Sequence, residues 1–337
     1  MSSQDKCYYV LAFYRIAPLQ NPEEEVLLHK NFIENRDIQC RLYLSKDGLN
    51  GQMSASKEDA EAYMAWLKSR PPFEDLVFKI HYWHEHVFPK KIVKLKSQLV
   101  ALDTPVDFSK AGVHIAPKQF REMLENEKDV LLLDVRNDYE WDIGHFEGAE
   151  RPPCVTFRDF NAYAEKIEKE HPDKPKVMMY CTGGIRCELY SAILKEKGFD
   201  DVFQLDGGII NYGLEEGNAH WKGKLFVFDD RMTVPIAEES ETETCGRCHK
   251  CNHQAESYYN CANMECNLLY ISCPTCLDQL KGCCSQKCGE GEKLRPYHEQ
   301  NPHKPFKKSY EYFGFKKNPH GQGKNKRKAK KNPVNHS

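Results

Sequence analysis

Over the first hundred residues the spacing of apolar positions switches repeatedly between the strand period of 2 and the helix period of 3.6. It predicts a strand over Cys7–Tyr14, a helix over Pro22–Asn35, a strand over Ile38–Leu44 and a turn at Lys46–Gly51. A strand near Gln52–Ala55, a helix over Lys57–Lys68, and strands near Val77–Ile80 and Lys91–Val100 follow. Ser56 suits the N-cap of the second helix, with Asp59 three residues on. The order β-α-β-β-α-β is that of a ferredoxin-like split βαβ plait. That fold leaves function open.

From about His114 to His220 strands and helices alternate. Val130–Val135 is a continuous apolar run, suited to a parallel strand covered on both faces. A helix over Asn161–Glu170 is closed by Pro172, and Lys176–Tyr180 reads as a short buried strand. A helix over Arg186–Lys197 ends at Gly198, and Val202–Leu205 leads into Asp206-Gly207-Gly208 and a further helix. Such alternation predicts a parallel-sheet α/β domain, with its site at the carboxyl ends of the strands. Asp134 and Cys181 both stand at such ends.

With roughly 100–200 residues per domain, a chain of 337 residues holds two or three. The expected organisation is a plait over 1–105, the parallel-sheet domain over 114–222, a cysteine-rich module over 223–290 and a basic, disordered tail over 291–337. Net charge is −2, but ten lysines and one arginine against Glu311 alone put +10 on residues 304–331 and leave −12 elsewhere. A basic arm on an acidic body suits a polyanion such as nucleic acid, the bland alternative being a solubilising tail. The opening Met1-Ser2-Ser3-Gln4-Asp5-Lys6 lacks the apolar stretch of a secretory signal, and no apolar run approaches the roughly 18 residues of a membrane span. A cytoplasmic protein is expected, with 15 cysteines serving as thiols, metal ligands and a nucleophile rather than as disulfides.

The chemistry is sought at Cys181. It ends a strand and is followed by Thr182, the pair Gly183-Gly184, Ile185 and Arg186, where a helix starts. Loop amides, the positive helix end and the Arg186 charge all favour a thiolate, and the glycines leave room for a ligand. The competing reading is a buried structural cysteine. Cys187, in the first helical turn, reads as packing, with a resolving thiol as the alternative.

Asp134-Val135-Arg136-Asn137-Asp138-Tyr139-Glu140, then Gly144–Ala149, the Cys181 loop and Asp206-Gly207-Gly208 together resemble a rhodanese domain. The resemblance implies that Cys181 heads the active-site loop. Its six residues, Cys181 to Arg186, match sulfur-handling members; phosphatase and arsenate-reductase relatives have one residue more. The longer string Tyr180–Glu188 resembles the tRNA uridine hydroxylases, which make 5-hydroxyuridine at the wobble position. So do Phe226–Met232, Ile271–Cys276 and Lys281–Ser285. This similarity covers about residues 7–290 and implies an essential Cys181, tRNA as partner and molecular oxygen as co-substrate, with the reductant unidentified.

One chemical route is thiolate addition of Cys181 to C6 of the uracil, which makes C5 electron-rich. Loop amides or Arg186 would steady the O4 enolate. A second route passes through an oxidised or persulfide sulfur. Either requires the sulfur ionised and open to a base at the mouth of the central sheet. Asp134 and Arg136 are expected to position the substrate or the loop, or else to hold the fold together. A plain sulfurtransferase and a non-enzymatic RNA-binding adaptor are the rival readings.

Cys245-Gly246-Arg247-Cys248 and Cys273-Pro274-Thr275-Cys276 form two C-x2-C pairs, a pattern that suits one tetrahedral ion. Zinc is expected, with an iron–sulfur cluster or reduced thiols as alternatives. Cys251, Cys261, Cys266, Cys283, Cys284 and Cys288, with His249 and His253, suffice for a second site. His84 and His86 would share a strand face, though a polar loop there is the simpler reading.

Overall fold

The computed structural model describes residues 7–100, 106–237 and 243–297. The basic segment 304–331 lies outside the described residues. The expected disorder from 291 is corrected as far as 297: Leu294 bridges Asn263, and Arg295 donates to the Cys261 carbonyl at 2.6 Å.

The first unit runs β1 (Tyr8–Ile16), α1 (Pro22–Ile33), β2 (Ile38–Ser45), β3 (Gly48–Ala55), α2 (Lys57–Lys68), β4 (Lys79–Trp83) and β5 (Lys91–Leu95). Its sheet order is β4-β1-β3-β2-β5, in which β5 adds a parallel edge beside β2. Ser56 caps α2 by accepting from the Asp59 amide. β3 begins earlier than the glycines and asparagine near Gly48 predict. Leu49 is buried there, and a Cβ on Gly51 would fall 2.4 Å from the Phe13 ring. Gly51 is thus a strand glycine that makes space for an aromatic neighbour, not a turn residue. β4 starts two residues late because its pairing with β1 runs from Ala12–Lys79 to Tyr8–Trp83.

Alternation along β1 divides its side chains between two faces. Leu11 and Phe13 join the core with Ile38, Met53 and Tyr63. Ala12, with its cross-strand partners Gln52 and Lys79, belongs to the other face, which lies over the second unit.

That unit comprises β6 (Val113–Ile115), α3 (Pro117–Asn126), β7 (Val130–Asp134), α4 (Asp138–Ile143), β8 (Gly144–Phe146), α5 (Phe160–Glu170), β9 (Lys176–Tyr180), α6 (Ile185–Glu196), β10 (Val202–Leu205) and α7 (Gly208–Glu216). The sheet order is β6-β10-β9-β7, all parallel. Separate cores cover its two faces, one built around Phe160, Val177 and Tyr190, the other around Phe120, Met178 and Tyr212. The apolar run of β7 therefore has partners on both sides. β11 (Trp221–Gly223) pairs with β8 and leads into the cysteine-rich end. Among the described residues no helix is long and apolar enough to cross a membrane.

Candidate active site

Cys181 follows β9, and the chain turns through Gly184, at φ +102°, into α6. Two amides at the start of α7 grip the loop from below, Ile209 donating to the Cys181 carbonyl at 3.0 Å and Ile210 to the Thr182 carbonyl at 3.1 Å. Gly208 makes this approach possible. A Cβ there would sit 2.5 Å from the Cys181 oxygen, and its φ of +68° suits glycine. Of the loop's own glycines, Gly183 has open space around it, whereas a Cβ on Gly184 would meet the Tyr14 hydroxyl at 2.9 Å. The expected room beside the sulfur is therefore provided at Gly183 alone.

Burial pushes the Cys181 thiol up, but a hydrogen bond from Cys187, the Arg186 charge and the amides of Arg186 and Gly184 outweigh it. The net effect lowers it to about 5. The Gly184 amide lies 3.1 Å from the sulfur. Cys187 is held well above the ordinary thiol range, chiefly by burial and then by its bond to Cys181, so it keeps its proton and donates it. Cys187 is a thiolate partner in addition to a packing residue.

Arg186 reaches Cys181 only through its charge and backbone. Its guanidinium is committed to Glu140 at 2.6 and 2.9 Å and to the Thr182 hydroxyl at 3.1 Å, while Thr182 donates to Glu140 at 3.1 Å. This buried pair ties α4 to the loop. Asp134 and Arg136 form another, with Arg136 donating to Asp134 at 2.6 and 2.9 Å and to the Gly144 carbonyl at 2.7 Å. Both are buried, and Arg136 also lies over the Tyr180 and Trp221 rings. Neither residue lines the cavity beside Cys181, and their bonds hold the strand end to Gly144.

Cys181 itself is 0% exposed, which corrects the expectation of a sulfur open at the mouth of the sheet. The plait roofs it. Beneath the roof lies a cavity of about 270 Å³ lined from below by Cys181, Thr182, Gly183, Ile185 and Arg186 and from above by Tyr14, Gln52 and Lys79. A larger apolar space of about 480 Å³, holding Trp83 and Arg231, adjoins it through Ala12, Gln52, Thr182 and Ile210. Two bonds tie the roof to the loop and the helix after it: Lys79 donates to the Gly183 carbonyl at 2.8 Å, and Tyr14 donates to Glu188 of α6 at 2.9 Å.

The sequence reasoning missed Tyr14, Lys79, Glu140 and Glu188. Glu140 and Glu188 stand inside the motif strings, where an unassigned carboxylate near an arginine was the available signal. Tyr14 and Lys79 arrive from another domain, and no local pattern announces them.

In the cysteine-rich end, Cys248, Cys251, Cys273 and Cys276 bring their sulfurs within 4.8 Å of one another, as do Cys261, Cys266, Cys284 and Cys288. Cys245 is thus corrected to Cys251. The run C-x2-C-x2-C contains two overlapping pairs of equal spacing. The hairpin closed by Cys248 N to the His253 carbonyl, at 2.8 Å, folds Cys251 back toward Cys248. Cys245 instead lies against Gly223. Sulfur pairs at 3.6 and 3.7 Å match the edge, about 3.8 Å, of a tetrahedron with metal–sulfur bonds of about 2.3 Å. The donor set fits a metal in both clusters. His249 and His253 belong to neither. His86 is hydrogen-bonded to Ser54 at 3.0 Å and Asp37 at 2.9 Å, and β4 ends before His84, so the histidine run forms no metal cluster among the described residues.

Three family models match the chain: a UPF0176 acylphosphatase-like domain over residues 8–99, a rhodanese-like domain over 116–214 and a rhodanese C-terminal region over 222–289. A protein of Protochlamydia amoebophila, named tRNA uridine(34) hydroxylase, is 54% identical over 92% of this chain and 97% of its own length. Proteins of the same name from Chlamydia muridarum and Chlamydia felis are 51% and 50% identical, covering 91% and 90% of this chain and 94% of their own lengths. At such identity over nearly the whole length, the chain belongs to the tRNA uridine(34) hydroxylase family.

Proposed function

We propose that this chain hydroxylates C5 of the wobble uridine of tRNA, with Cys181 as the reactive thiolate. The observation that carries the reading is a thiol held near 5 at the floor of a cavity of about 270 Å³, in a chain more than half identical to a relative of that name. Uridine and O2, with two electrons and two protons, yield 5-hydroxyuridine and water, so a two-electron reductant is required. A wobble base in a single-stranded loop can be splayed from its neighbours at modest cost. Because Cys181 is covered here, the reading requires the plait to lift from the loop for the base to reach the sulfur.

The reading includes the four-part organisation over 1–105, 114–222, 223–290 and 291–337 and a cytoplasmic location. The anticodon arm is the partner, and the basic tail contacts phosphate in a salt-dependent way. Zinc in the cysteine-rich module would be held by Cys248, Cys251, Cys273 and Cys276 and by Cys261, Cys266, Cys284 and Cys288. It would act structurally.

The test is nucleoside mass spectrometry of tRNA from cells lacking the gene, complemented with wild type or Cys181→Ala. We expect 5-hydroxyuridine with the first and none with the second; equal levels would overturn the assignment. The rhodanese-like match keeps a sulfurtransferase as the second reading. Thiosulfate-to-cyanide transfer by pure protein, together with unaltered 5-hydroxyuridine in the gene deletion, would favour it.

A further inference from the structure

Lys79 is an unusual side chain for a plait strand. Its residue is only 6% exposed, its ammonium is turned toward the second domain, and a Cβ on Gly207 would stand 3.0 Å from its Cε. Among the described residues the ammonium makes one hydrogen bond, to the Gly183 carbonyl at 2.8 Å, and no ion pair. The ammonium also lies over the Tyr14 ring, 5.2 Å from its centroid, and its three N–H groups exceed the one hydrogen bond made, so donor capacity remains for a ligand. Lys79 and Cys181 line the same cavity. Of the two cationic side chains lining the cavity, Arg186 is committed to Glu140 and Thr182, which leaves Lys79 as the cation without a carboxylate partner among the described residues.

We propose that Lys79 is a catalytic residue, the cation that receives the O4 oxyanion when the Cys181 thiolate adds to C6 of uridine. This rests on the hydroxylase reading above and deepens it. In the step, the thiolate pair forms the S–C6 bond, the C5=C6 π pair moves between C5 and C4, and the C4=O4 π pair moves onto oxygen. No electron is gained or lost, and an N–H of Lys79 donates to O4. The role of the first domain is then chemical as well as architectural: it carries an unpaired positive charge to a loop whose own arginine is bound to Glu140.

The groups around Lys79 agree with this state. Tyr14 of β1 hydrogen-bonds Glu188 of α6, its own hydroxyl pushed up by burial. His114 of β6 stands between Asp206 and Glu188, at 3.4 and 3.2 Å, and those bonds raise it to about 10. Burial lowers Lys79 to about 8, with Cys181, Asp206 and Glu188 opposing. Thiolate and ammonium coexist between about 5 and about 8.

The addition step can be read without any oxidant. Thiolate addition and enolate formation exchange the hydrogen on C5, so tRNA transcript tritiated at C5 of uridine should release label anaerobically. Wild-type full chain should release it with a bell-shaped pH profile whose limbs lie near 5 and near 8. Lys79→Met should lose roughly 100-fold in release, the lower end of the about 100- to 1,000-fold that removal of one oxyanion donor costs. Lys79→Arg should retain release and lose the alkaline limb, because guanidinium stays charged. A merely structural lysine would not move that limb. Release by Lys79→Met within threefold of wild type, or an unmoved limb in Lys79→Arg, would overturn the assignment. So would a wild-type chain that makes 5-hydroxyuridine in cells yet releases no tritium, and this outcome leaves the hydroxylase reading standing. If wild type makes no 5-hydroxyuridine, both fall together.

Discussion

Burial alone would make Cys181 an inert thiol, as it does for Cys40 and Cys154, which burial raises to about 11 and about 12. What separates Cys181 is the number of donors aimed at its sulfur. The largest opposing contribution comes from Cys187, ahead of the Arg186 charge and the two amides. A protonated thiol in the first turn of α6 thus stabilises the ionised one at the head of the loop, and the cost of desolvating a Cys187 thiolate keeps its proton in place. Alkylation of Cys181, followed by mass spectrometry of its peptide, should be constant above about pH 6 and fall as pH drops through about 5, where the thiolate is protonated. In Cys187→Ala the midpoint should move upward, and in Cys187→Ser, which keeps an O–H donor, it should stay nearer to wild type. An identical midpoint in the alanine variant would remove Cys187 from the account.

At the scale of elements, the site depends on two helix starts meeting one loop, with α6 presenting amides to the sulfur and α7 gripping the carbonyls from beneath. The contrast between Gly183 and Gly208 follows directly. Gly208→Ala places a Cβ 2.5 Å from the Cys181 oxygen at positive φ, so it should cost about 1–3 kcal/mol of stability and most of the 5-hydroxyuridine formed. Gly183→Ala meets no atom within 4 Å, and its melting temperature should match wild type. Equal melting of the two variants would show that the loop slides off α7 freely. These elements were largely legible: Lys57–Lys68, Lys176–Tyr180 and Val202–Leu205 form where their apolar spacing puts them. The start of β3 was not, because Gly51 serves Phe13, a neighbour distant in sequence. Nor was the pairing of Arg186 with Glu140 in place of the sulfur, since proximity in sequence says nothing about which way a guanidinium turns. Tyr14 and Lys79 were illegible for the same reason on a larger scale.

Across the whole molecule, the cysteine-rich end bears on the site through α4. Tyr258 donates to the Tyr139 carbonyl at 2.6 Å and packs with Ile143 and Phe226, while Glu140 on the same helix holds Arg186 and Thr182. A module this small needs a staple to stay folded against that helix. With metal bound, the two four-sulfur clusters would supply two staples, and Cys248, Cys276 and Tyr258 belong to the same packed group as Ile143. Losing one staple should therefore loosen α4 and, through Glu140, the Cys181 loop. Elemental analysis of wild-type protein should return two zinc equivalents per chain. Cys251→Ala should return one, with a lower melting temperature and a raised alkylation midpoint at Cys181, because a displaced Arg186 no longer favours the thiolate. Cys245→Ala should keep both equivalents and both other properties, since its sulfur lies against Gly223 outside either cluster. Loss of metal in Cys245→Ala but not in Cys251→Ala would reverse the ligand assignment, and metal loss without any change at Cys181 would sever the module from the site.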